Sequence, residues 1–341
     1  MIDHLQAISR DAEVVTSEEL RTLLESGGGR AYIGFEPSGI VHIGWLVCMR
    51  KMREIADAGF DLTVYLADWH AFVNDKLGGD MDTIRLCGRY LEDVFDVAGI
   101  PCRYLYASEL MDSMEYWERV MRVMKATTLA RTRRAMTIMG RREDAADSDM
   151  SKFLYPALQV ADIFQMDIDL ALGGMDQRHA HMLQRDVAER LGWKKAVAVH
   201  TPLIPALSAG GRMDPVEAKM SKSDPNGTIT IHDGPDDIRR KMKRAYCPET
   251  AEDNPVLEIV EHIVFPYGDG TFTLTRDEKW GGDVEYSSFA DLRDALAGKK
   301  VHPQDLKDSV AAALDGIIRP FREHFATKVQ MIARIRSAVG R

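Results

Sequence analysis

Lys219-Met220-Ser221-Lys222-Ser223 sets two lysines and two hydroxyls on a short segment flanked by Asp, Pro and Gly. A given five-residue string turns up by chance in only about one chain of this length in ~10⁴. Lysine ammonium groups are mobile point charges. They suit a pyrophosphate leaving group, whose negative charge grows as the α-phosphate is attacked; Ser221 can add a hydrogen bond. Far upstream stands His42-Ile43-Gly44. An HxG triplet is expected by chance about once in a chain this rich in His and Gly, so alone it says little. Together the two segments point to activation of a carboxylate by ATP. A carboxylate is already a nucleophile, so such a site needs positioning and charge stabilisation more than acid–base groups. Three other histidines fit that picture. His179 and His181 stand two apart, off a common helix face, and His70 stands alone. They make no metal-ligand cluster, and no protein-bound metal site is expected.

These residues need a scaffold. Thr16-Ser17-Glu18-Glu19 reads as a capping box opening a helix that ends near Gly27-Gly28-Gly29. Residues 31–35 read as a short buried strand, 36–39 as a turn, 41–58 as a helix and 62–67 as a second strand. That is a βαβ unit and therefore a parallel sheet. It puts His42 and Gly44 at a helix N-terminus after the first strand, where free N–H groups and the helix dipole favour phosphate. Gly34 and Gly44 leave room for a nucleotide, and His42 can donate to a phosphate oxygen.

Residues 80–150 read as a charged helical insertion broken by a strand at 103–106. A helix is expected over 155–166 with Pro156 in its first turn, a loop over 173–177, a helix from Arg178, and a strand over 197–202. Beyond about 235 the pattern turns helical: 235–245, 256–264, 288–297, and 303–339 in two pieces around Pro320. The expected division is a catalytic α/β domain over 1–235 and an all-helical domain over 236–341.

Tyr155, Gln159 and Asp162 stand at i, i+4 and i+7, so one helix face carries three polar side chains among apolar neighbours. A buried carboxylate must be paired or hydrogen-bonded. The helix alone leaves two explanations open: a pocket gripping a polar ligand, or an internal network with none. In Gly173-Gly174-Met175-Asp176-Gln177, Asp176 can accept from ribose hydroxyls or simply cap a helix, and Gln177 can reach an amino acid.

The 341 residues are 45% hydrophobic and 28% charged, which suits a soluble globular chain of two domains or one large one. No apolar run approaches the ~18 residues of a membrane span, and the charged start lacks a secretory signal core. Four cysteines without a CxxC pair favour reduced thiols in a cytoplasm. A net charge of −9 argues against a passive nucleic-acid coat protein. Local patches still allow RNA binding: Arg131, Arg133, Arg134, Arg141 and Arg142, and a tail with six basic residues from Arg319 to Arg341.

Taken together, the segments Tyr32 to Gly39, His42-Ile43-Gly44, Tyr155-x₃-Gln159-x₂-Asp162, Gly173 to Arg178, and Lys219 to Ser223 resemble the archaeal/eukaryotic type of tyrosyl-tRNA synthetase, a class I aminoacyl-tRNA synthetase. Trp280 to Asp283 and Val301 to Lys307 resemble its C-terminal domain. The resemblance covers about residues 15–325. It implies a Rossmann-type parallel sheet with a helical insertion that forms a dimer interface, and a helical anticodon-binding domain. It implies as partners L-tyrosine, ATP with Mg2+, tRNA(Tyr) and a second copy of the chain, with no membrane.

Carried over by motif, Tyr32 and Asp162 would hold the substrate phenol, and Tyr155, Gln159 and Gln177 its α-amino end. Gly34, His42, Gly44 and Asp176 would meet the nucleotide, and Lys219, Ser221 and Lys222 the pyrophosphate. Arg134 and Arg178 would meet the acceptor stem. Trp280, His302 and Asp305 would meet the first anticodon base, Trp280 by stacking. Three departures stand out: Trp45 replaces a frequent second histidine, His179 replaces a lysine of several relatives, and Leu110 with Met111 replace a more polar pocket wall. Two other readings remain open: the tryptophan enzyme of the same class, and a synthetase-like RNA-binding paralogue without catalysis. A smaller nucleotidyltransferase is disfavoured by the length and the second motif.

Overall fold

The computed structural model describes residues 2–139, 149–209, 220, 227–268 and 270–339. Lys219, Ser221 and Lys222, and also Arg141 and Arg142, lie outside the described residues. The chain forms two compact units. The first comprises Met1–Gly39, Cys48–Pro202 and Arg334–Arg341; the second comprises Ile40–Val47 and Leu203–Ala333.

The first unit is built on one six-stranded sheet: β1 (Glu13–Val15), β2 (Arg30–Phe35), β3 (Asp61–Leu66), β4 (Arg103–Tyr106), β5 (Leu170–Gly174) and β6 (Val197–Thr201), in the order β1-β6-β5-β2-β3-β4. All neighbours are parallel except β1 with β6. The inner strands are almost wholly buried. A parallel sheet covered on both faces needs such continuous apolar runs, which explains why they alternate so little. The expected strands and the βαβ unit are all present, with the intervening helix at Trp45–Asp57. The capping box at Thr16 is formed in both directions, and its helix runs over Ser17–Glu25.

Three local expectations are corrected. The helix expected to start at Tyr155 runs over Met150–Gln165, so Pro156 lies in its interior. Asp149 caps it, accepting from the Ser151 amide at 3.0 Å. Lys152 first, and Ser151 next, hold the Asp149 carboxyl well below its usual range. Pro156 removes one N–H from the ladder, yet Tyr155 and the residues on either side are buried at helical spacing and hold the turn. Gly173 and Gly174 close β5 and Met175–Gln177 form a 3₁₀ turn rather than a loop. Gln177, not Asp176, is the N-cap of the helix Arg178–Leu191, and no side chain caps it.

In the second unit the expected helices appear at Pro235–Arg244, Pro255–Ile259 continuing as a π-turn Val260–Val264, and Phe289–Ala297. The helix Pro303–Phe325 runs straight through Pro320, and the break falls before Val329–Ala338. Leu314, Ile318, Phe321 and Phe325 bury one stripe across the proline, which keeps both sides helical. This part is also not purely helical: β7 (Phe272–Leu274) and β8 (Val284–Tyr286) form a short antiparallel pair.

Candidate active site

Strand order locates the site before any side chain does. From β2 the chain steps one way to β3 and β4; from β5 it steps the other way to β6. The reversal lies between β2 and β5. Open α/β sheets bind ligands outside the carboxyl ends of their strands at such a point. Gly34 stands next to last in β2 there and is exposed, while Gly174 closes β5 and leads into Asp176 and Gln177. A Cβ at Gly34 would meet nothing closer than Tyr32 Cε2 at 3.6 Å and Tyr65 Cδ1 at 3.8 Å. The fold itself therefore tolerates a side chain at this position. Gly173 differs: a Cβ there would lie 2.9 Å from Gln177 Cβ and 3.1 Å from His181 Cε1. Glycine at 173 lets the following helix pack on the strand end.

Asp162 is 1% exposed and anchors the floor. Its Oδ1 accepts from the Tyr65 hydroxyl at 2.9 Å and the Tyr116 hydroxyl at 2.8 Å. Its Oδ2 lies 3.0 Å from His70 Nε2, but off the line that a hydrogen bond needs, and has no donor. Tyr32, also buried, faces the same group: burial first, and then the charge of Asp162, push its phenol above the ordinary range, and a hydrogen bond with Gln159 opposes this. Tyr32 is thus close enough to Asp162 to feel its charge. His70, which stood alone in the sequence, belongs with them, packed edge-on against Tyr65 and Tyr155.

The helix face carrying Tyr155, Gln159 and Asp162 is buried as expected, but its partners extend beyond the expected set. The Tyr155 hydroxyl donates to Glu36 Oε1 at 2.7 Å. Glu36 also accepts from Asn74 Nδ2 at 2.9 Å. Gln159 Nε2 donates to Gln177 Oε1 at 3.2 Å, and Gln177 Nε2 to the Ile138 carbonyl at 3.3 Å. Gln159 Oε1 is buried without a donor. The face therefore presents two orphan acceptors, Gln159 Oε1 and Asp162 Oδ2, one helical turn apart. Buried acceptors without donors are costly, and a ligand with two separated donors would satisfy both. Leu110 and Met111 join the apolar cluster that contains Tyr32 and Tyr116.

In the second unit, His42 and its neighbours pair with a strand-like segment: the Ile43 amide donates to the Ile229 carbonyl and the Ile231 amide to the Val41 carbonyl. This ties the turn to the residues that follow the lysine-bearing segment. Met220, within that segment, is buried and donates its amide to the Ile204 carbonyl at 2.8 Å. A Cβ at Gly44 would lie 3.0 Å from His42 Cε1 and Nδ1. Gly44 is thus what allows the imidazole to fold back over its own turn, with Trp45 edge-on beside it.

One of the residues expected to meet the acceptor stem, Arg178, already has a protein partner. Arg178 Nε donates to Glu13 Oε2 at 2.8 Å, and Glu13 Oε2 also lies 2.8 Å from His200 Nδ1. His200 Nε2 in turn lies 3.0 Å from His181 Nδ1. Burial opposes charge on Glu13, but Arg178 and then His200 outweigh it and hold its carboxyl below the usual range. Arg134 lines a groove of about 230 Å³ with Arg131, Arg190 and Asp186. His179 Nδ1 lies 3.0 Å from Thr137 Oγ1 and 3.2 Å from the Arg134 carbonyl, so it fastens the chain beside Arg134.

Trp280 is 68% exposed at the end of a 3₁₀ turn. Arg276 ties this turn down through the Gly282 carbonyl at 2.8 Å and reaches the Lys300 carbonyl at 3.2 Å, just before His302. His302 is the N-cap of the helix Pro303–Phe325, its Nδ1 accepting from the Gln304 amide, and Asp305 lies in the first turn.

Residues 26–318 match the family model of the class I tRNA synthetases (W and Y). The fold and the site at its switch point thus define a class I synthetase. Among curated proteins, the chain is 50% identical over 324 residues to the tyrosine–tRNA ligase of Aeropyrum pernix, covering 91% of this chain and 89% of that protein. The crystal structure of tyrosyl-tRNA synthetase from Aeropyrum pernix superposes with a TM-score of 0.88 at 46% identity, over 100% of this chain and 99% of that one. That of the Pyrococcus horikoshii enzyme, complexed with L-tyrosine, gives 0.92 at 37% identity, over 98% and 99%. The chain belongs to the tyrosyl-tRNA synthetases.

Proposed function

We infer that this chain activates L-tyrosine with ATP and transfers the tyrosyl group to the 3′-terminal adenosine of tRNA(Tyr). In the first step a tyrosine carboxylate oxygen bonds to the α-phosphorus. The bond from that phosphorus to the bridging oxygen breaks, and its electrons leave with pyrophosphate. In the second step a ribose hydroxyl of the adenosine attacks the tyrosyl carbonyl, giving the ester, AMP and a proton.

The observation that carries the amino-acid choice is Asp162 Oδ2, a buried acceptor without a hydrogen-bond donor, near enough to Tyr32 for its charge to act on that phenol. A substrate phenol both donates and accepts, so it can use Asp162 and Tyr32 together; an indole N–H needs only an acceptor. In our reading Tyr32 and Asp162 hold the phenol, while Tyr155, Gln159 and Gln177 hold the α-amino end. Gly34, Asp176, His42 and Gly44 meet the nucleotide. Lys219, Ser221 and Lys222 take up the charge that develops on pyrophosphate, with ATP arriving as its Mg2+ complex. Arg134 and Arg178 meet the acceptor stem; Trp280, His302 and Asp305 meet the anticodon. Residues 1–235 serve catalysis and 236–341 anticodon binding.

A homodimer is part of the proposal. Met114, Trp117, Met121 and Met124 recur at spacings of three and four on the helix Met114–Lys125, and all are exposed, Met114 by 83% and Met121 by 65%. A contiguous apolar helix face of this kind marks a protein contact. A cytoplasmic location is proposed on the four cysteines, all present as thiols. Among the described residues no helix is long and apolar enough to cross a membrane.

The test is ATP–pyrophosphate exchange with each of the twenty amino acids in turn. Exchange driven by tyrosine is expected. Exchange with tryptophan and none with tyrosine would overturn the assignment. Loss of exchange in Lys222→Ala with RNA binding retained would separate this reading from a binding-only paralogue.

A further inference from the structure

Asp162 already holds two resident donors, both on one oxygen. A carboxylate offers about four lone-pair sites, two on each oxygen. On Oδ1 both are taken, by Tyr65 from β3 at 2.9 Å and by Tyr116 from the helix Met114–Lys125 at 2.8 Å. The second possible acceptor for Tyr116, the Leu158 carbonyl, is more distant at 3.5 Å. On Oδ2 no hydrogen-bond donor is aligned, although His70 Nε2 lies 3.0 Å away. The two oxygens of one buried carboxylate thus live in different environments, and two tyrosines make the difference.

We propose that Tyr65 and Tyr116 are specificity-determining positioning residues: by saturating Oδ1 of Asp162 they fix its rotation and leave Oδ2 as the one oxygen offered to a substrate phenol. The proposal rests on the reading of Asp162 as the phenol acceptor. Both tyrosines are suited to the role. Tyr65 is 2% exposed and Tyr116 fully buried, so neither hydroxyl competes with water. Burial, followed by the charge of Asp162, holds both phenols well above their ordinary pKa, so they remain O–H donors throughout the working pH range. The aromatic rings are pinned by packing, Tyr65 edge-on to His70 and Tyr116 edge-on to Trp117. Without them the carboxylate could rotate toward whichever donor remained and present a blurred acceptor. A substrate lacking the hydroxyl makes no use of Oδ2, so its binding is indifferent to that orientation.

The experiment compares the parent chain with Tyr65→Phe, Tyr116→Phe and Asp162→Ala in ATP–pyrophosphate exchange, using L-tyrosine and L-phenylalanine. Each Tyr→Phe change removes one hydroxyl and keeps the ring. The expected result is a loss of kcat/KM for tyrosine of about 10- to 100-fold, the range for one hydrogen bond to a charged group. The loss falls chiefly on KM, while kcat/KM for phenylalanine changes by less than about twofold. An equal fall for both amino acids, or no change for either, in both Tyr→Phe variants would overturn the proposal and leave the tyrosines as packing. If Asp162→Ala itself lowers both amino acids equally, the phenol assignment fails and this proposal with it. The two failures are therefore told apart by which variant shows them.

Discussion

His181 and His200 stack at 24° between ring planes, with Nδ1 of the first 3.0 Å from Nε2 of the second, beneath the strand ends that frame the site. Burial, and then the neighbouring His200, push the His181 pKa from 6.5 down to about 3. The folded chain therefore keeps His181 neutral where the unfolded chain would protonate it. Between about pH 6.5 and pH 3 the unfolded state binds more protons, so stability falls as pH falls through this window and is fully present above it. His181→Gln should flatten that dependence by up to one proton, about 1.4 kcal/mol per pH unit. Urea unfolding of parent and variant across the window measures it; parallel curves would show that His181 does not titrate on unfolding.

Gly34 and Gly173 each stand next to last in neighbouring strands but answer to different constraints. Gly34→Ala should fold normally, with its unfolding midpoint unchanged, because its methyl group makes only ordinary contacts with Tyr32 and Tyr65; if the nucleotide lies against this strand end, as proposed, it should lose adenylate formation. Gly173→Ala pushes into Gln177 and His181 and should cost about 1–3 kcal/mol in stability. Denaturant titration beside exchange assays separates the two.

Trp280→Ala should leave pyrophosphate exchange intact and weaken tRNA charging by roughly 5- to 150-fold, the value of one base–aromatic stack. A matching fall in exchange would contradict the proposed division of labour between the two parts of the chain.

Met121→Lys sets a charge at the centre of the exposed face of the helix Met114–Lys125. Sedimentation at several concentrations should find the parent as a dimer and the variant shifted to monomer. A monomeric parent would remove the interface from this helix.

Much of the fold is legible in the sequence because its signals are local. The residues 103–106 strand, the capping box at Thr16 and the 155–162 polar face all follow from spacing within a few residues. The helix start at Met150 is hidden in the sequence, because the apolar period is clearest from Tyr155 on and Pro156 suits a first turn. Tyr65 and Tyr116 gave no sign of their role. Each reads as an ordinary core aromatic, and each reaches Asp162 across 97 and 46 residues of chain. Glu36 likewise reads only as part of a turn, yet its carboxylate accepts from Tyr155 and Asn74. Contacts of this separation are made by the sheet order, which no local pattern encodes.

The central claim is that Asp162 is built for a phenol, and kcat/KM for tyrosine against phenylalanine in Asp162→Ala tests it most directly. Loss of the acceptor should lower the tyrosine value roughly 100-fold or more and leave the phenylalanine value nearly unchanged, collapsing discrimination between the two. An equal loss for both amino acids would contradict the account.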